Sequence, residues 1–248
     1  MTGPKVAVYT CVAGGYEREI APVRPREDLN FVCFTDAPGR LAAPGWEMRA
    51  LKSPGRLVGG HDVNRYHKLF PHRLFPDHRW SIYQDGNLSF AGDHASLVAR
   101  VSDAGAALGA FWHPDGHDMR REVEACKRMK FDRRDLDVIE AQLAAYAQEG
   151  IGPDTRIPTN YLLVRDHAHP ALPMAMDIWW AQLFQFTKRD QISLLYSLKK
   201  ADAKWVPLDG DDPGAIDPAL VSTRWHRPPL VQRIRRRLHK SFGIVPRS

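Results

Sequence analysis

Asp85-Gly86-Asn87 sets two oxygen-bearing side chains on either side of one glycine. A hard divalent cation such as Mg²⁺ or Mn²⁺ prefers oxygen ligands, and it commonly takes one or two from the protein and the rest from substrate phosphates. The glycine lets a diphosphate approach the backbone. Asp85 and Asn87 are therefore candidate metal ligands, with an ordinary turn after a strand as the competing reading. Arg65 and Lys68 are three residues apart and share one face of a predicted helix, with His72 a turn further on if the helix extends so far. Two aligned cations would stabilise the charge that develops on a leaving diphosphate; in water they are merely surface charges. Asp36 could accept hydrogen bonds from a base or ribose edge, or simply start the turn at Pro38-Gly39. Tyr9 and Tyr16 flank Gly14-Gly15, which offers an aromatic face for a base beside a loop that tolerates close backbone contact.

Asp190 and Gln191 precede an apolar helical run, so Asp190 reads either as a helix cap or as a carboxylate gripping sugar hydroxyls, with Gln191 facing the anomeric carbon. His113, His117 and His226 are each conceivable metal ligands or phosphate contacts. No spacing of His and acid suggests a tight zinc cluster with an open position. Trp112, Trp179 and Trp180 read as core or as walls of an acceptor groove. Glu122 and Glu124 read as solvated, or one of them as a base toward an acceptor hydroxyl.

Those residues need a scaffold that delivers them to one place. Residues 6–12, 31–35, 46–51, 80–83 and 104–112 are short β-rich apolar runs, and 161–164 is strand-like. Helices are predicted from a cap at Asp62 through Phe70, over about ten residues before Ala104, near 119–129 and 136–148, and over 174–186 and 191–199. Strands alternating with helices imply an α/β fold, a mainly parallel sheet with helices on both faces, and ligands beyond the carboxyl ends of the strands. A chain of 248 residues with 44% hydrophobic content suits one such domain, taken as 1–208, followed by a Gly, Pro and Asp-rich linker and a basic tail over 209–248.

The formal charge of +6 belongs to that tail: Ser222 to Ser248 holds eight Lys or Arg and no acid, leaving 27 bases against 29 acids before it. A body so balanced is not built as a nucleic-acid surface. The tail interleaves bases with Leu230, Val231, Ile234, Leu238 and Phe242, a pattern that could lie on an anionic membrane or dock on the body. The absence of a signal-peptide pattern or apolar span sets the expectation of a cytoplasmic protein, with peripheral attachment at the inner membrane face through the tail. Cys11, Cys33 and Cys126 fit no disulfide framework or metal clip and are expected as buried thiols.

Taken in order, the motifs resemble the TOD/MUCI-type glycosyltransferase-like family, found in plants and bacteria. The likeness covers about residues 5 to 205 and rests on Tyr9-Thr10, Gly14-Gly15-Tyr16, Phe34-Thr35-Asp36, Arg65, Lys68 and Pro71-His72. It continues through Asp85-Gly86-Asn87, His113-Pro114, Trp179-Trp180, Arg189-Asp190-Gln191 and Ser193. The resemblance implies a GT-A-like (Rossmann-like) fold in which Asp85 and Asn87 stand where a DxD metal motif is usual, Asn87 giving a neutral carbonyl in place of a carboxylate. It puts Tyr9, Thr10, Gly15, Asp36, Arg65, Lys68 and Asp85 against the nucleotide, and Asp85, Asn87 and His226 around the cation. His113, Arg189 and Trp180 then face sugar or acceptor. Asp190-Gln191 resembles the Asp-Gln pair of retaining transferases of the glycogenin and galactinol synthase type and implies the catalytic centre. The sequence departs from the family pattern after His113-Pro114, where Gly116 and Arg120 stand near the places of an expected arginine and aromatic before Glu122.

The expectation is a hexosyltransferase-like enzyme, assisted by Mn²⁺ or Mg²⁺, that moves a sugar from a UDP- or GDP-sugar to a glycan or lipid-linked acceptor in polysaccharide biosynthesis. Asn87 keeps open a sugar- or nucleotide-binding module without catalysis. A link of the family to ceramidase activity, through a plant member, leaves a metal-dependent lipid amidase as a third reading.

Overall fold

The runs Val6–Val12 (β1) and Leu29–Thr35 (β2) are apolar on both sides of the strand, and both are buried almost throughout. That pattern suits the centre of a sheet covered on two faces. In the computed structural model, which describes residues 6–52, 59–128, 133–212 and 214–223, they pair in parallel with Val12 opposite Thr35. Glu47–Ala50 (β3), Trp80–Gln84 (β4), Leu108–Trp112 (β6), Pro158–Asp166 (β7) and Trp205–Pro207 (β8) complete a seven-stranded sheet of order β3-β2-β1-β4-β7-β6-β8. β7 alone runs against the others. Leu88–Phe90 (β5) and Val221–Thr223 (β9), which periodicity did not reveal, form a separate antiparallel pair.

Strand alternation divides the core. Ala7, Tyr9, Cys11, Val32, Phe34 and Leu163 point to one face, where Gly60–Leu69 (α1), Pro71–Leu74 (α2), Leu172–Gln185 (α6) and Asp190–Lys200 (α7) cover them. Val8, Val12, Phe31, Cys33, Leu162 and Val164 point to the other, beneath His94–Asp103 (α3). A third cluster lies under Met119–Arg128 (α4) and Arg133–Gln148 (α5), where Met119, Val123, Ile139 and Tyr146 meet Ile192 of α7. The α/β, mainly parallel class with helices on both faces is therefore observed. All three cysteines are buried and free.

Two local expectations are corrected. Asp62 does not cap α1: the cap is Gly59, whose φ of 96° favours glycine, and Asp62 instead pairs with Lys188 at 3.0 Å. His72 is not a continuation of α1, because Phe70 leaves helical geometry before Pro71 starts α2. The segment expected as a linker is tied to the body: Arg100 pairs with Asp212, Ile216 N donates to Leu208 O at 2.7 Å, and Ala91 N donates to Leu220 O at 2.9 Å. Among the described residues no helix is long and apolar enough to cross a membrane. The basic tail from residue 224 on, His226 included, lies outside the described residues.

Candidate functional site

The register aligns the carboxyl ends of β2, β1 and β4, so the loops carrying Asp36, Gly14-Gly15 and Asp85 open on one edge. Because β7 is antiparallel, its first residue Pro158 reaches the same edge, opposite Trp112 at the end of β6. Gly14 and Gly15 have φ of 71° and 64°, a left-handed pair that side chains with a Cβ rarely adopt. Asp36 holds that loop by accepting the Gly14 amide at 2.9 Å.

Two adjoining clefts lie along this edge. One, of about 660 Å³, is lined by Gly14, Gly15, Arg18, Asp36 and Arg40 among others. The second, of about 450 Å³, is lined by Tyr16, Asn64, Arg65, Asp85, Gly86 and Asn87 among others, and Val12 and Glu17 border both. Asp36 and Asp85 therefore share a continuous edge. The Asp85 amide donates to Tyr161 O at 2.8 Å, and its carboxylate accepts the Tyr83 hydroxyl at 2.8 Å. Leu88 N donates to Asp85 O at 2.9 Å, so the turn reading of this motif is correct as well. Gly86 also serves packing, since a Cβ there would meet Val12 at 3.2 Å and Glu17 at 3.4 Å.

Asp190 stands behind the second cleft and does not line it. Its carboxylate lies 3.2 Å from Arg65 and 2.9 Å from Lys68, and Lys68 is also 3.7 Å from Asp85. Burial pushes its pKa up, but the adjacent Arg65 and Lys68 outweigh burial and hold it well below the usual carboxylate range. Arg65 and Lys68 do share a face, yet their charge is already committed. Asp190 is the first residue of α7 and Arg189 its cap, while the Trp179 indole donates to Asp190 O at 3.1 Å.

Several other expectations fail for physical reasons. Tyr9 is fully buried against Phe34, Phe75 and Tyr83, so no ring face is open to a base; its hydroxyl donates to Lys68 O and accepts from Arg165. The aromatic open to ligand is Tyr16, 81% exposed at the cleft rim. Thr10 is likewise buried. Gln191 is buried and its amide donates to Pro158 O, so it is spoken for by the backbone. Arg189 binds Glu122, which is 1% exposed and not solvated as expected, and Trp180 packs on Tyr66, Phe70 and Phe184. His113, His117 and Glu122 do form a tight cluster, which the spacing had not suggested.

Glu17 was not singled out by sequence, although it directly follows Gly14-Gly15-Tyr16 at the end of β1. Burial, and then the nearby Asp85, raise its pKa from 4.5 to about 7. The folded protein therefore holds this proton to higher pH than the unfolded chain, and stability is lost as pH rises from about 4.5 to about 7. Glu17→Gln should flatten that part of the profile, read as thermal midpoint against pH. An unchanged slope would contradict the assignment. Asn160 is a second missed residue: it is buried beside Tyr161, with neither amide atom hydrogen-bonded among the described residues.

Asp85, Asn87 and Glu17 offer only oxygen donors, and a cation would offset both the burial and, after it, the Asp85 charge that raise Glu17. The donor set fits Mg²⁺ or Mn²⁺.

Fold and edge together define an α/β protein with two clefts beyond the carboxyl ends of a mainly parallel sheet, the edge where such sheets bind ligands. Residues 61–207, more than half of the chain, match the TOD1/MUCI70, glycosyltransferase-like domain, and the chain belongs to that family. The match begins after the Tyr9–Tyr16 and Phe34–Asp36 motifs. The chain is 29% identical over 147 residues to "Probable hexosyltransferase MUCI70" of Arabidopsis thaliana, a stretch that is 55% of this chain and 25% of that protein. It thus spans about a quarter of that relative's length. Among solved structures it aligns with mouse xyloside xylosyltransferase 1 in apo form at TM-score 0.47 and 10% identity, over 83% of this chain and 85% of the other. It also aligns with the WbbM bifunctional glycosyltransferase at TM-score 0.46 and 9% identity, over 84% and 39%.

Proposed function

We propose that the protein transfers a hexose or related sugar from a nucleoside diphosphate sugar to a glycan or lipid-linked acceptor, with a divalent cation at Asp85 and Asn87. The carrying observation is the pair of adjoining clefts on one sheet edge, Asp36 and the Gly14-Gly15 loop in one, Asp85, Asn87 and Arg65 in the other. In this reading Asp36 and the loop take the nucleoside and Tyr16 covers the base or sugar. A bound Mn²⁺ or Mg²⁺ would stabilise the departing diphosphate as a Lewis acid. Charge supports the need for it: Arg65 and Lys68 already face Asp190 and Asp85, so these side chains alone leave little positive charge for a diphosphate. Asp190 then fixes Arg65 at the cleft wall, and Gln191 anchors α7 to β7.

The same reading puts the transferase domain in the cytoplasm and moves the start of the tail from 209 to beyond residue 223, because the segment before it is tied to the body; the basic tail then brings the domain to an anionic inner membrane face. A hydrolysis screen of nucleotide sugars with Mn²⁺ tests the reading: slow release of a nucleoside diphosphate from one donor is expected. The burial of Gln191 favours a second reading, a nucleotide-sugar-binding module without turnover. Binding of a donor without any hydrolysis would select it.

A further inference from the structure

We infer that His113, His117 and Glu122 form a binding site for one divalent transition-metal ion of zinc-like character, separate from the cleft at Asp85. β6 ends at Trp112 opposite Pro158, so His113 leaves the sheet on the same edge as Asp85, two strands further along. The turn at Pro114–Gly116, with Gly116 at φ 60°, brings His117 back beneath it, and the two rings stack with centroids 3.9 Å apart. Glu122 enters from the first turn of α4, buried. One potential ligand atom from each residue lies within 4.8 Å of the other two.

Two imidazole nitrogens with one carboxylate oxygen are a zinc donor set that leaves a fourth position for water. The cleft at Asp85 presents oxygen donors alone, so the two places sort cations by softness. His117 Nε2 and Glu122 Oε2 are hydrogen-bonded at 3.0 Å, close to the spacing of two ligands that each sit about 2 Å from a tetrahedral ion; an ion would replace that proton, and one of the two stacked rings would turn so that both nitrogens face it. The supporting partners are also in place: the other Glu122 oxygen accepts from Arg189, and His113 Nδ1 lies 3.4 Å from Pro114 O, which leaves Nε2 to carry the lone pair. His113 and His117 are partly exposed, so an ion has a way in.

The test is a titration of the chelator-stripped full chain with Zn²⁺, and with Co²⁺ as a visible reporter. One equivalent should bind, and cobalt should give the intense d–d bands of a four- or five-coordinate site. His117→Gln, and independently His113→Gln on the exposed turn, should each weaken binding by at least about tenfold. Asp85→Asn should leave it unchanged, which separates this site from the donor cleft and from any failure of the transferase reading. Absence of such bands in the wild type overturns the inference. So does a folded His113→Gln protein that binds cobalt as tightly as the wild type.

Discussion

Asp190→Asn is expected to destabilise the protein by about 3 to 5 kcal/mol, because it removes the one negative charge that faces two cations from inside the fold. The Asp190 and Lys68 side chains are 5% and 3% exposed and the Arg65 side chain 17%, so water cannot take the carboxylate's place. Asparagine keeps the shape and isolates the charge term. Chemical denaturation would show a lower midpoint at unchanged slope. Since the folded-state pKa of Asp190 is depressed, its contribution is present above the ordinary carboxylate range and is lost only as pH falls through that depressed value. The wild type should therefore keep this contribution in mild acid. A cost below about 1 kcal/mol, the range of an exposed pair, would mean that the network adds little.

Asp85→Asn is expected to slow sugar transfer by at least about a hundredfold while leaving the fold intact. The substitution keeps an acceptor for the buried Tyr83 hydroxyl and leaves the backbone bond to Tyr161 untouched. What it takes away is the carboxylate charge opposite Lys68 and beside Glu17. The loss should appear in kcat, with thermal stability nearly unchanged. Transfer at the wild-type rate would remove Asp85 from the cation site.

How much of this was readable beforehand follows from what each feature depends on. β1, β2 and β4 were legible because strands buried on both faces are continuous apolar runs, and a strand end followed by Asp and Gly marks a loop at the ligand edge. The direction of β7 was not, since it is set by the long excursion through α4 and α5 and leaves no mark on the strand's own residues. Tyr9 was misjudged because its position in a central strand, on the face covered by α1 and α6, outweighs its neighbouring glycines. The ion pairs of Asp190 join residues more than a hundred positions apart, and no periodicity records them. The His113, His117 and Glu122 cluster spans a tight turn and a helix start, so helical spacing does not display it. Glu17 stands in a loop two residues from Glu19, and what sets it apart, its burial and the approach of Asp85 from β4, arises only in the fold.

The most direct test of the account is the thermal midpoint of the full chain with UDP or GDP, each with and without Mn²⁺. Stabilisation that grows when nucleotide and Mn²⁺ are present together, and that disappears in Asp85→Ala, is the predicted result. No shift with any nucleotide, metal present or absent, would contradict a cation-assisted sugar-nucleotide site at this edge.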